Sequence, residues 1–316
     1  MTTRQTAALG DSVTVGGIRV DLSKTDKVLF ADDAITKGDL IEYYRDVASR
    51  MLPYLADRPA VMSRYPDGIT GQRVFQKNVP DYFPDWITRV EVPKQDGVLH
   101  QVVCDKQATF VYLANQACIE LHVFVSRIGR LENPDQLVFD LDPPGDDRFA
   151  DACRAARSLR ELLEGELGLT SFVKTTGGRG LHVHVLLRAE DDFDTVRSFA
   201  RQAAGVLAAR NPDLITAEQR KEKRGSRIYA DIMRNAYAQT VVAPYAVRAR
   251  PGAPVSVPLR WAELDDPALQ PRNFTLRTVR PRLDEFSGKA DPWADLGRYR
   301  YSLAGAASRL EDLARA

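Results

Sequence analysis

The stretch from Gln136 to Met233 carries one ordered series of strand and helix patterns, which restricts the possible folds more than any other feature. The patterns predict strands at 136–142, 171–175, 181–187 and 227–233, and helices at 147–168 and 194–210. The order is therefore β-α-β-β-α-β, the split unit of ferredoxin-like and RNA-recognition-motif-like sheets. In such a unit both helices cover one face of the sheet, and we expect the other face to be left open.

Side-chain alternation predicts which residues occupy that open face. Asp140 and Asp142 share a face of the first strand, because residues two apart on a strand point the same way. The same rule puts His182 on the polar face of the third strand and Asp231 on that of the fourth. Because the first strand lies between these two in the split unit, we expect the three acids and His182 to come together.

Three carboxylates held close together are costly unless a cation neutralises them. Hard divalent ions prefer carboxylate oxygen, and Mg²⁺ or Mn²⁺ in phosphate chemistry combines a few carboxylates with substrate oxygens. The alternative is a chance DxD pattern at a strand end, which is common. The expected position of Asp231 beside the pair favours a two-metal site that acts on phosphate esters.

A glycine-rich turn joins the second and third strands in "KTTGGRGLHVHV" (174–185). Gly177 and Gly178 can expose backbone N–H groups to an anion, while Thr176 and Arg179 add a hydroxyl and a fixed positive charge. A plain hairpin turn is the alternative. The turn is not a P-loop, because it lacks the required lysine and Ser/Thr spacing and opens a strand instead of a helix.

The composition is that of an ordinary soluble protein, with 44% hydrophobic and 28% charged residues in 316. No run of 18 apolar residues occurs, and residues 1–12 lack the apolar core of a signal peptide, so we expect a cytoplasmic protein without a membrane partner. Three cysteines without a CxxC pattern are expected to be reduced structural thiols. The net charge of +1 combines acids at 132–151 with basic runs at 218–227, 247–251 and 271–282, which suits phosphate handling or simply a solvated surface.

The N-terminal part shows one clear helix, at 37–55, with Thr36 and Asp39 as a capping box. From about 60 to 130 the chain reads as short strand-like runs, for example "ATFVYLAN" (108–115) and "IELHVFVS" (119–126). His100 and His184 are interpreted as satisfied core residues, the commoner role of a lone strand histidine.

Three segments resemble the signature motifs of the archaeo-eukaryotic primase superfamily, specifically those of the polymerase domain of bacterial ATP-dependent DNA ligase D, used in nonhomologous end joining. They are "FDLDPP" (139–144), "TTGGRGLH" (175–182) and "RIYADIMRN" (227–235). Segments such as "RPAVMSRYPDG" and "YAVRARPGAPVSVPLRW" extend the resemblance over most of the chain. It implies an α+β primase-polymerase fold, in which a catalytic palm sheet packs with an N-terminal α/β lobe.

The resemblance implies one primase-polymerase domain over 1–316, with an N-terminal lobe at about 1–130, a catalytic core at about 131–260 and an extension at about 261–316. Because no ligase segment follows, and because some motif positions differ, a stand-alone primase-polymerase C or polymerase D paralogue is expected. The differing positions are Thr176 and Arg179, where the family usually has serine and lysine, Val74, where it often has a second phenylalanine, and Ser63, where a basic residue is common.

The resemblance also implies site residues. Two ions, Mn²⁺ or alternatively Mg²⁺, would be held by Asp140, Asp142 and Asp231. The incoming nucleoside triphosphate would be bound by His122, Thr176, Gly177, Gly178, Arg179, His182, Arg224 and Arg248. The 5′-phosphate and template of the DNA would be bound by Lys27, Lys37, Phe75, Arg64 and Lys77.

The implied activity is template-directed transfer of nucleotides, ribonucleotides preferred, to a primer 3′-hydroxyl at gaps or broken DNA ends. A DNA ligase or Ku acting in trans would be the protein partner, in the bacterial cytoplasm at the nucleoid. A de novo primase would share the three acids. A metal-dependent phosphohydrolase or a non-catalytic nucleic-acid-binding module are alternatives of other classes, although binding sheets of the latter kind display aromatic residues where this face displays acids.

Overall fold

The computed structural model describes residues 10–286 and 291–315, in two compact units. Of the described residues, 10–121 with 249–253 form one unit, and 122–248 with 254–286 and 291–315 form the other. The first nine residues, part of the segment judged to lack a signal peptide, lie outside the described residues. No helix in the described part of the chain is long and apolar enough to cross a membrane. The predicted division into lobe, core and extension stays a prediction.

The first unit is a mixed α/β arrangement. Its elements are β1 Ser12–Val15, β2 Ile18–Asp21, β3 Val28–Phe30, β4 Ile35–Thr36, α1 Lys37–Leu55, β5 Pro59–Arg64, β6 Val74–Gln76, β7 Arg89–Lys94, β8 Gly97–Val103, α2 Gln107–Asn115 and β9 Cys118–Phe124, whose last three residues belong to the second unit. The main sheet has the order β9-β5-β8-β7, with β6 paired to β5, while β1 with β2 and β3 with β4 form separate pairs.

Two sequence predictions in this unit have opposite outcomes. The predicted helix at 37–55 is confirmed as α1, and its capping box is present, with Thr36 and Asp39 each accepting the other's backbone N–H. The strand prediction for 108–115 is wrong, because this run forms α2. Every residue from Ala108 to Asn115 is buried, so no exposed face marks the helical period, and periodicity cannot separate a buried helix from a buried strand.

The second unit contains the predicted split unit. Its elements are β10 Ser126–Arg127, β11 Arg130–Pro134, β12 Gln136–Asp142, α3 Phe149–Arg160, β13 Phe172–Thr175, β14 Leu181–Leu186, α4 Phe193–Arg210, β15 Ile215–Thr216, β16 Ile228–Asp231, β17 Thr240–Val242, β18 Pro258–Leu259, α5 Arg280–Glu285 and α6 Ala304–Arg315. Short 3₁₀ turns occupy 146–148, 221–223, 261–265 and 296–298, and a π-helical stretch, Glu161–Glu166, extends α3.

The sheet of this unit has the order β15-β16-β12-β14-β13-β18. The β-α-β-β-α-β order is therefore confirmed, and β12 lies between β14 and β16 as predicted. The apolar residues of these strands, such as Phe139, Leu141 and Val183, form one core with α3 and α4. Alternation then directs the polar residues of β12, β14 and β16 to the opposite face.

That opposite face is not open along its whole width, which corrects the sequence prediction. Trp293, which follows the split unit in the chain, covers part of it, with its ring 5.0 Å from that of His184 and 6.3 Å from that of Phe172. The β-α-β-β-α-β pattern carries no information about the residues that follow it in the chain, so the sequence does not predict that Trp293 covers this face. His184 is buried, with Nδ1 3.0 Å from Gln136 Oε1, as its core role predicts.

The prediction that His100 is a core residue is wrong. It lies exposed on β8, opposite Glu91 of β7, and its backbone N–H donates to Asn78 Oδ1 at 2.9 Å. The cysteine prediction is confirmed, since Cys104, Cys118 and Cys153 are all buried free thiols.

Candidate active site

The candidate active site is built on a row of polar residues that crosses the sheet of the second unit. Lys174 on β13 pairs with His182 on β14, His182 pairs with Asp140 on β12, and Asp140 pairs with Asp231 on β16. Asp142 lies two residues beyond Asp140, opposite Tyr229. Residues directly opposite on antiparallel strands have Cβ atoms about 4.5–5.5 Å apart, so the register itself brings these side chains together.

Each acid of the row has a defined polar neighbour. Asp140 Oδ2 lies 3.5 Å from His182 Nε2 and 3.9 Å from Arg234 Nε. Asp142 Oδ1 accepts from Arg179 Nη2 at 3.2 Å. Asp231 Oδ1 accepts the backbone N–H of Met233 at 2.7 Å. The predicted grouping of the three acids with His182 at one end of the sheet therefore matches the strand register.

Burial raises the pKa of all three carboxyls. For Asp140 the desolvation is offset in part by Arg234, Lys174 and Arg248. For Asp142 and Asp231 burial is the largest cause, and the Asp140 charge raises the pKa of both further. Burial, followed by Lys174 and nearby arginines, lowers the pKa of His182 well below its usual value, so its ring is neutral. A bound proton or cation that offsets the negative charge of these carboxyl groups is therefore stabilising.

Carboxylate oxygens are the donors that a hard divalent cation prefers, so Asp140, Asp142 and Asp231 fit such an ion by chemical type. Within residues 10–286 and 291–315, however, no group of three or more histidine, cysteine, aspartate or glutamate side chains is arranged to hold a metal ion. In this arrangement arginine side chains face Asp140 and Asp142. The metal role of the three acids stays a prediction.

The glycine turn lies at the end of β13 beside this row. Thr176 Oγ1 accepts the N–H of Gly178 at 3.1 Å and donates to Gly180 O at 3.1 Å. Gly177 has a left-handed φ of +63°, and a Cβ there would lie 2.8 Å from Arg248 Cγ and 3.0 Å from the Val255 carbonyl carbon, so only glycine fits. The turn is thus held in one conformation by its own side chain and its neighbours.

Two backbone N–H groups of the turn, those of Gly177 and Arg179, have no hydrogen-bond partner among the described residues. Gly177 is buried and Arg179 half-buried. Buried N–H groups without a partner are rare because leaving them unpaired costs free energy, and unpaired backbone N–H groups in a turn can bind an anion. This observation favours the anion-binding interpretation of the turn over a plain hairpin.

Arginines gather around the turn. Arg248 Nη1 donates to Thr176 O at 2.7 Å. A pocket beside the turn is lined by Asp142, Pro143, Pro144, Arg179, Lys221, Arg224, Gly225 and Arg227. Arg224 is fixed by its contact with the Tyr229 ring, 3.7 Å from the centroid, and by donation to Glu218 O at 3.0 Å. Four cations and one acid line this pocket, so it attracts anions.

His122, the remaining residue predicted to bind nucleotide, lies near the end of β9 and pairs with Val242 of β17. It contributes to the lowered pKa of His182, after the larger effects of burial and Lys174. The structure therefore brings Thr176, Gly177, Gly178, Arg179 and Arg248 together directly. Arg224 lines the same pocket as Arg179. His182 lies beside Asp140, with Nε2 3.5 Å from Oδ2.

The residues predicted to bind DNA lie in the first unit. The Lys37 N–H donates to Lys27 O at 2.8 Å, so the two lysines are adjacent. Lys37 Nζ lies 3.3 Å from Ser23 Oγ, and Lys27 Nζ pairs with Asp67 at 2.9 Å. Burial, and then the charges of Lys24 and Lys27, lower the pKa of Lys37. Such a convergence of ammonium groups favours a phosphate ligand.

Phe75 and Arg64 occupy opposite faces of the β5–β6 pair, because Phe75 pairs with Ser63 while Arg64 pairs with Val74. Phe75 is 47% exposed, with Arg73 4.8 Å and Lys77 Nζ 5.9 Å from its ring centroid. Arg64 instead donates to Gln76 Oε1, Tyr82 Oη and Gln116 O. Phe75 and Lys77 therefore form one surface, to which Arg64 does not contribute.

Sequence reasoning missed three residues of the second-unit site. Lys174 is fully buried and donates to Ser256 Oγ at 2.7 Å, and a lysine inside the apolar run "SFVKT" was the available signal. Arg234 follows Asp231 by three residues within the motif "RIYADIMRN". Arg272 donates to Gly178 O at 3.1 Å and to Asp146 Oδ1 at 2.9 Å. Its position in the basic run 271–282 was the only sequence signal for a role in the site.

Comparison with known proteins agrees with the resemblance. The family model described as "LigD, primase-polymerase domain" matches residues 36–293. A bifunctional non-homologous end joining protein LigD of Bacillus subtilis is 32% identical over 89% of this chain and 44% of its own length. The multifunctional LigD of Mycobacterium tuberculosis is 35% identical over 81% of the chain and 35% of its own length. The chain thus spans less than half of the length of these relatives.

A solved structure, titled polymerase domain from Mycobacterium tuberculosis ligase D in complex with DNA, superimposes with a TM-score of 0.79 at 32% identity. The match covers 86% of this chain and 96% of that one. It confirms the expected α+β primase-polymerase fold. The family model, the curated relatives and the solved fold all agree, and the chain belongs to the LigD primase-polymerase domain family.

Proposed function

We propose that this chain is a nucleotidyltransferase that extends a primer 3′-hydroxyl under the direction of a template, at gaps or broken ends in DNA. The observation that carries the proposal is the register of β12, β14 and β16, with Asp140 opposite both His182 and Asp231. These residues lie beside a glycine turn with unpaired N–H groups and a cationic pocket. Nucleoside triphosphates are the substrates, and the resemblance favours ribonucleotides over deoxyribonucleotides.

Two divalent ions, Mn²⁺ in preference to Mg²⁺, would be held by Asp140, Asp142 and Asp231, and when bound they supply activation of the primer hydroxyl and neutralisation of phosphate charge. His182, neutral and 3.5 Å from Asp140, orients that carboxylate. Lys174 and His182 are buried and the three acids are half-buried, so the row has limited contact with water and its electrostatic interactions are stronger than in bulk water.

The triphosphate is held by the turn and its arginines. The N–H groups of Gly177 and Arg179 donate to phosphate oxygens, and the Arg179, Arg224 and Arg248 guanidinium groups offset the charge that develops on the leaving pyrophosphate. Thr176 and Gly178 hold the turn in shape, and His122 completes the site beside His182. Because the donors are fixed before the nucleotide arrives, little reorganisation is required during transfer.

The DNA end is bound by the first unit. Lys27 and Lys37 hold the 5′-phosphate of the downstream strand, which displaces Asp67 from Lys27. Phe75 stacks on a template base, with Arg73 and Lys77 close enough to neutralise the adjacent phosphates. Arg64, on the other face of the β5–β6 pair, donates to Gln76, the residue that follows Phe75 on β6.

The cellular role proposed here is DNA repair in the bacterial cytoplasm at the nucleoid, with the chain acting as one primase-polymerase domain. Its relatives in Bacillus subtilis and Mycobacterium tuberculosis are named as non-homologous end joining proteins, which supports a role in end joining. A DNA ligase or Ku in trans would then be its partner.

A primer-extension comparison tests the proposal. Gapped duplexes with and without a downstream 5′-phosphate are offered with rNTPs or dNTPs in manganese, and we expect stepwise extension that is faster with the phosphate and with rNTPs. Synthesis on an unprimed single strand would indicate a de novo primase. Release of phosphate from small phosphoesters without extension would indicate a phosphohydrolase, and DNA binding without either reaction would indicate a non-catalytic module.

A further inference from the structure

Arg272 ties the glycine turn to the segment that follows β12. Its Nε donates to Gly178 O at 3.1 Å, and its Nη2 donates to Asp146 Oδ1 at 2.9 Å. Among the described residues, Arg272 is the one hydrogen-bond donor to Gly178 O. The same two segments are joined a second time, where Arg179 Nη1 donates to Pro144 O at 3.4 Å.

The peptide between Gly178 and Arg179 is the one whose orientation this contact fixes. A trans peptide is planar, and its C=O and N–H point in opposite directions. Because Arg272 holds the Gly178 C=O, the Arg179 N–H points to the other side, and this N–H has no partner among the described residues. Glycine permits many backbone conformations, so without the contact this peptide could turn over.

The backbone around Arg272 is itself rigid. Asn273 Oδ1 accepts the Gln270 N–H at 3.0 Å, and Asn273 Nδ2 donates to Ala268 O at 3.1 Å. The Val255 N–H donates to Phe274 O at 2.8 Å. Arg272 therefore starts from a fixed position, and Asp146 holds its guanidinium plane on the Gly178 carbonyl.

We propose that Arg272 is a positioning residue for the nucleotide: it fixes the Gly178–Arg179 peptide so that the Arg179 N–H is presented to a polyphosphate. The inference rests on the proposed function, because it assigns the bound anion as the triphosphate of that reaction. A plain electrostatic role, in which Arg272 merely adds positive charge near the pocket, is the competing explanation. The two differ in what Arg272→Lys and Asp146→Ala do.

The experiment measures two quantities at one free manganese concentration, the Kd of inorganic tripolyphosphate by calorimetry and the nucleotide KM and kcat by primer extension. Arg272→Met removes both hydrogen bonds, so we expect Kd and KM to rise about tenfold, the effect of about 1.4 kcal/mol of lost binding, while kcat stays within about threefold. Arg272→Lys keeps the charge without the planar fork, so Kd should still rise about fivefold. Asp146→Ala should weaken binding about twofold, since the guanidinium loses its support.

Arg298→Met is the matched control, because Arg298 is 78% exposed in the same unit and its side chain pairs with Asp295. Wild-type values for Arg272→Met or Arg272→Lys, or tighter binding by Asp146→Ala, would overturn the inference and favour simple electrostatics or no role. If Arg272→Met does not fold, the other two variants decide.

The same data separate this inference from the proposed function. A wild-type chain that binds tripolyphosphate with the expected variant effects, but never extends a primer, would refute the function and leave the positioning role intact. Primer extension by the wild-type chain, with a nucleotide KM that Arg272→Met does not change, would support the function and refute the positioning role. Absence of tripolyphosphate binding by the wild-type chain would contradict the positioning role directly.

Discussion

Gly180, the last glycine of the turn, allows the closest backbone approach in the candidate active site. A Cβ at this position would lie 2.1 Å from Leu141 O, 3.1 Å from the Leu141 carbonyl carbon and 3.1 Å from Pro143 Cδ. Two heavy atoms touch at roughly 3.5 Å, so the added methyl group would overlap the carbonyl deeply. Leu141 cannot retreat easily, because it is paired with Leu181 on one side and Ala230 on the other.

Gly180→Ala must therefore shift either the turn or the end of β12, which carries Asp140 and Asp142. Overpacking of a well-packed site costs about 1–3 kcal/mol, and a clash with the carbonyl of a strand residue that is paired on both sides belongs at the upper limit, about 3 kcal/mol. We expect the urea midpoint of unfolding to fall accordingly, and nucleotide addition to fall further, since the turn and the acids lose their mutual position.

Gly205→Ala is the matched control for this substitution. Gly205 lies in α4, and nothing stands within 4 Å of the Cβ that alanine would add. Alanine in a helix interior stabilises by about 0.5–1 kcal/mol relative to glycine, so this variant should unfold at a higher urea concentration. If Gly180→Ala unfolded at the wild-type urea concentration and kept its activity, the close packing of the turn against β12 would be wrong.

The remaining predictions concern the DNA surface and the thiols. Lys27→Ala with Lys37→Ala should abolish the preference for a downstream 5′-phosphate in primer extension, whereas Lys94→Ala, an exposed lysine on β7, should leave it unchanged; an unchanged preference in the double variant would refute the end-binding site. Phe75→Ala should weaken binding to an unpaired template by about 1–3 kcal/mol in a titration, and Tyr82→Ala, whose hydroxyl contacts Arg64 on the other face, should not. Burial raises the pKa of Cys118 to about 12 and of Cys153 to about 11, so a thiol reagent at pH 8 should label them only after unfolding, and rapid labelling would contradict their burial. The unfolded chain releases thiol protons above about pH 8.5 while the folded chain keeps them, so these thiols make stability fall as the pH rises beyond that value.

The sequence predicts the central sheet well because its signals are local. The run "QLVFDLD" is apolar at its centre, alternates apolar and acidic residues from Phe139 to Asp142 and ends at a double proline, and β12 has the predicted bounds, Gln136–Asp142. The β-α-β-β-α-β order then places β12 between β14 and β16, which makes Asp140 the neighbour of both His182 and Asp231. Local periodicity and one topological rule are therefore sufficient to predict β12 and the two neighbours of Asp140.

Features that depend on distant parts of the chain could not be predicted this way. Trp293 covers His184 across more than 100 residues of sequence, and Arg272 reaches Gly178 across 94. Neither contact leaves a periodic signal. The strand prediction for 108–115, which forms α2, is wrong for a different reason. A helix that is buried on all sides has no exposed polar face, so its sequence does not show the helical period.

The rate of single-nucleotide addition by a variant with Asp140→Ala and Asp142→Ala tests the central claim most directly. The matched control is Asp312→Ala, a 74% exposed aspartate of α6. On a gapped duplex with a 5′-phosphate, in manganese, we expect the control to match the wild-type chain and the double variant to lose at least about 1000-fold in rate, because the charge stabilisation of phosphoryl transfer is removed. Extension by the double variant at the wild-type rate would contradict the assignment of this acidic row as the active site.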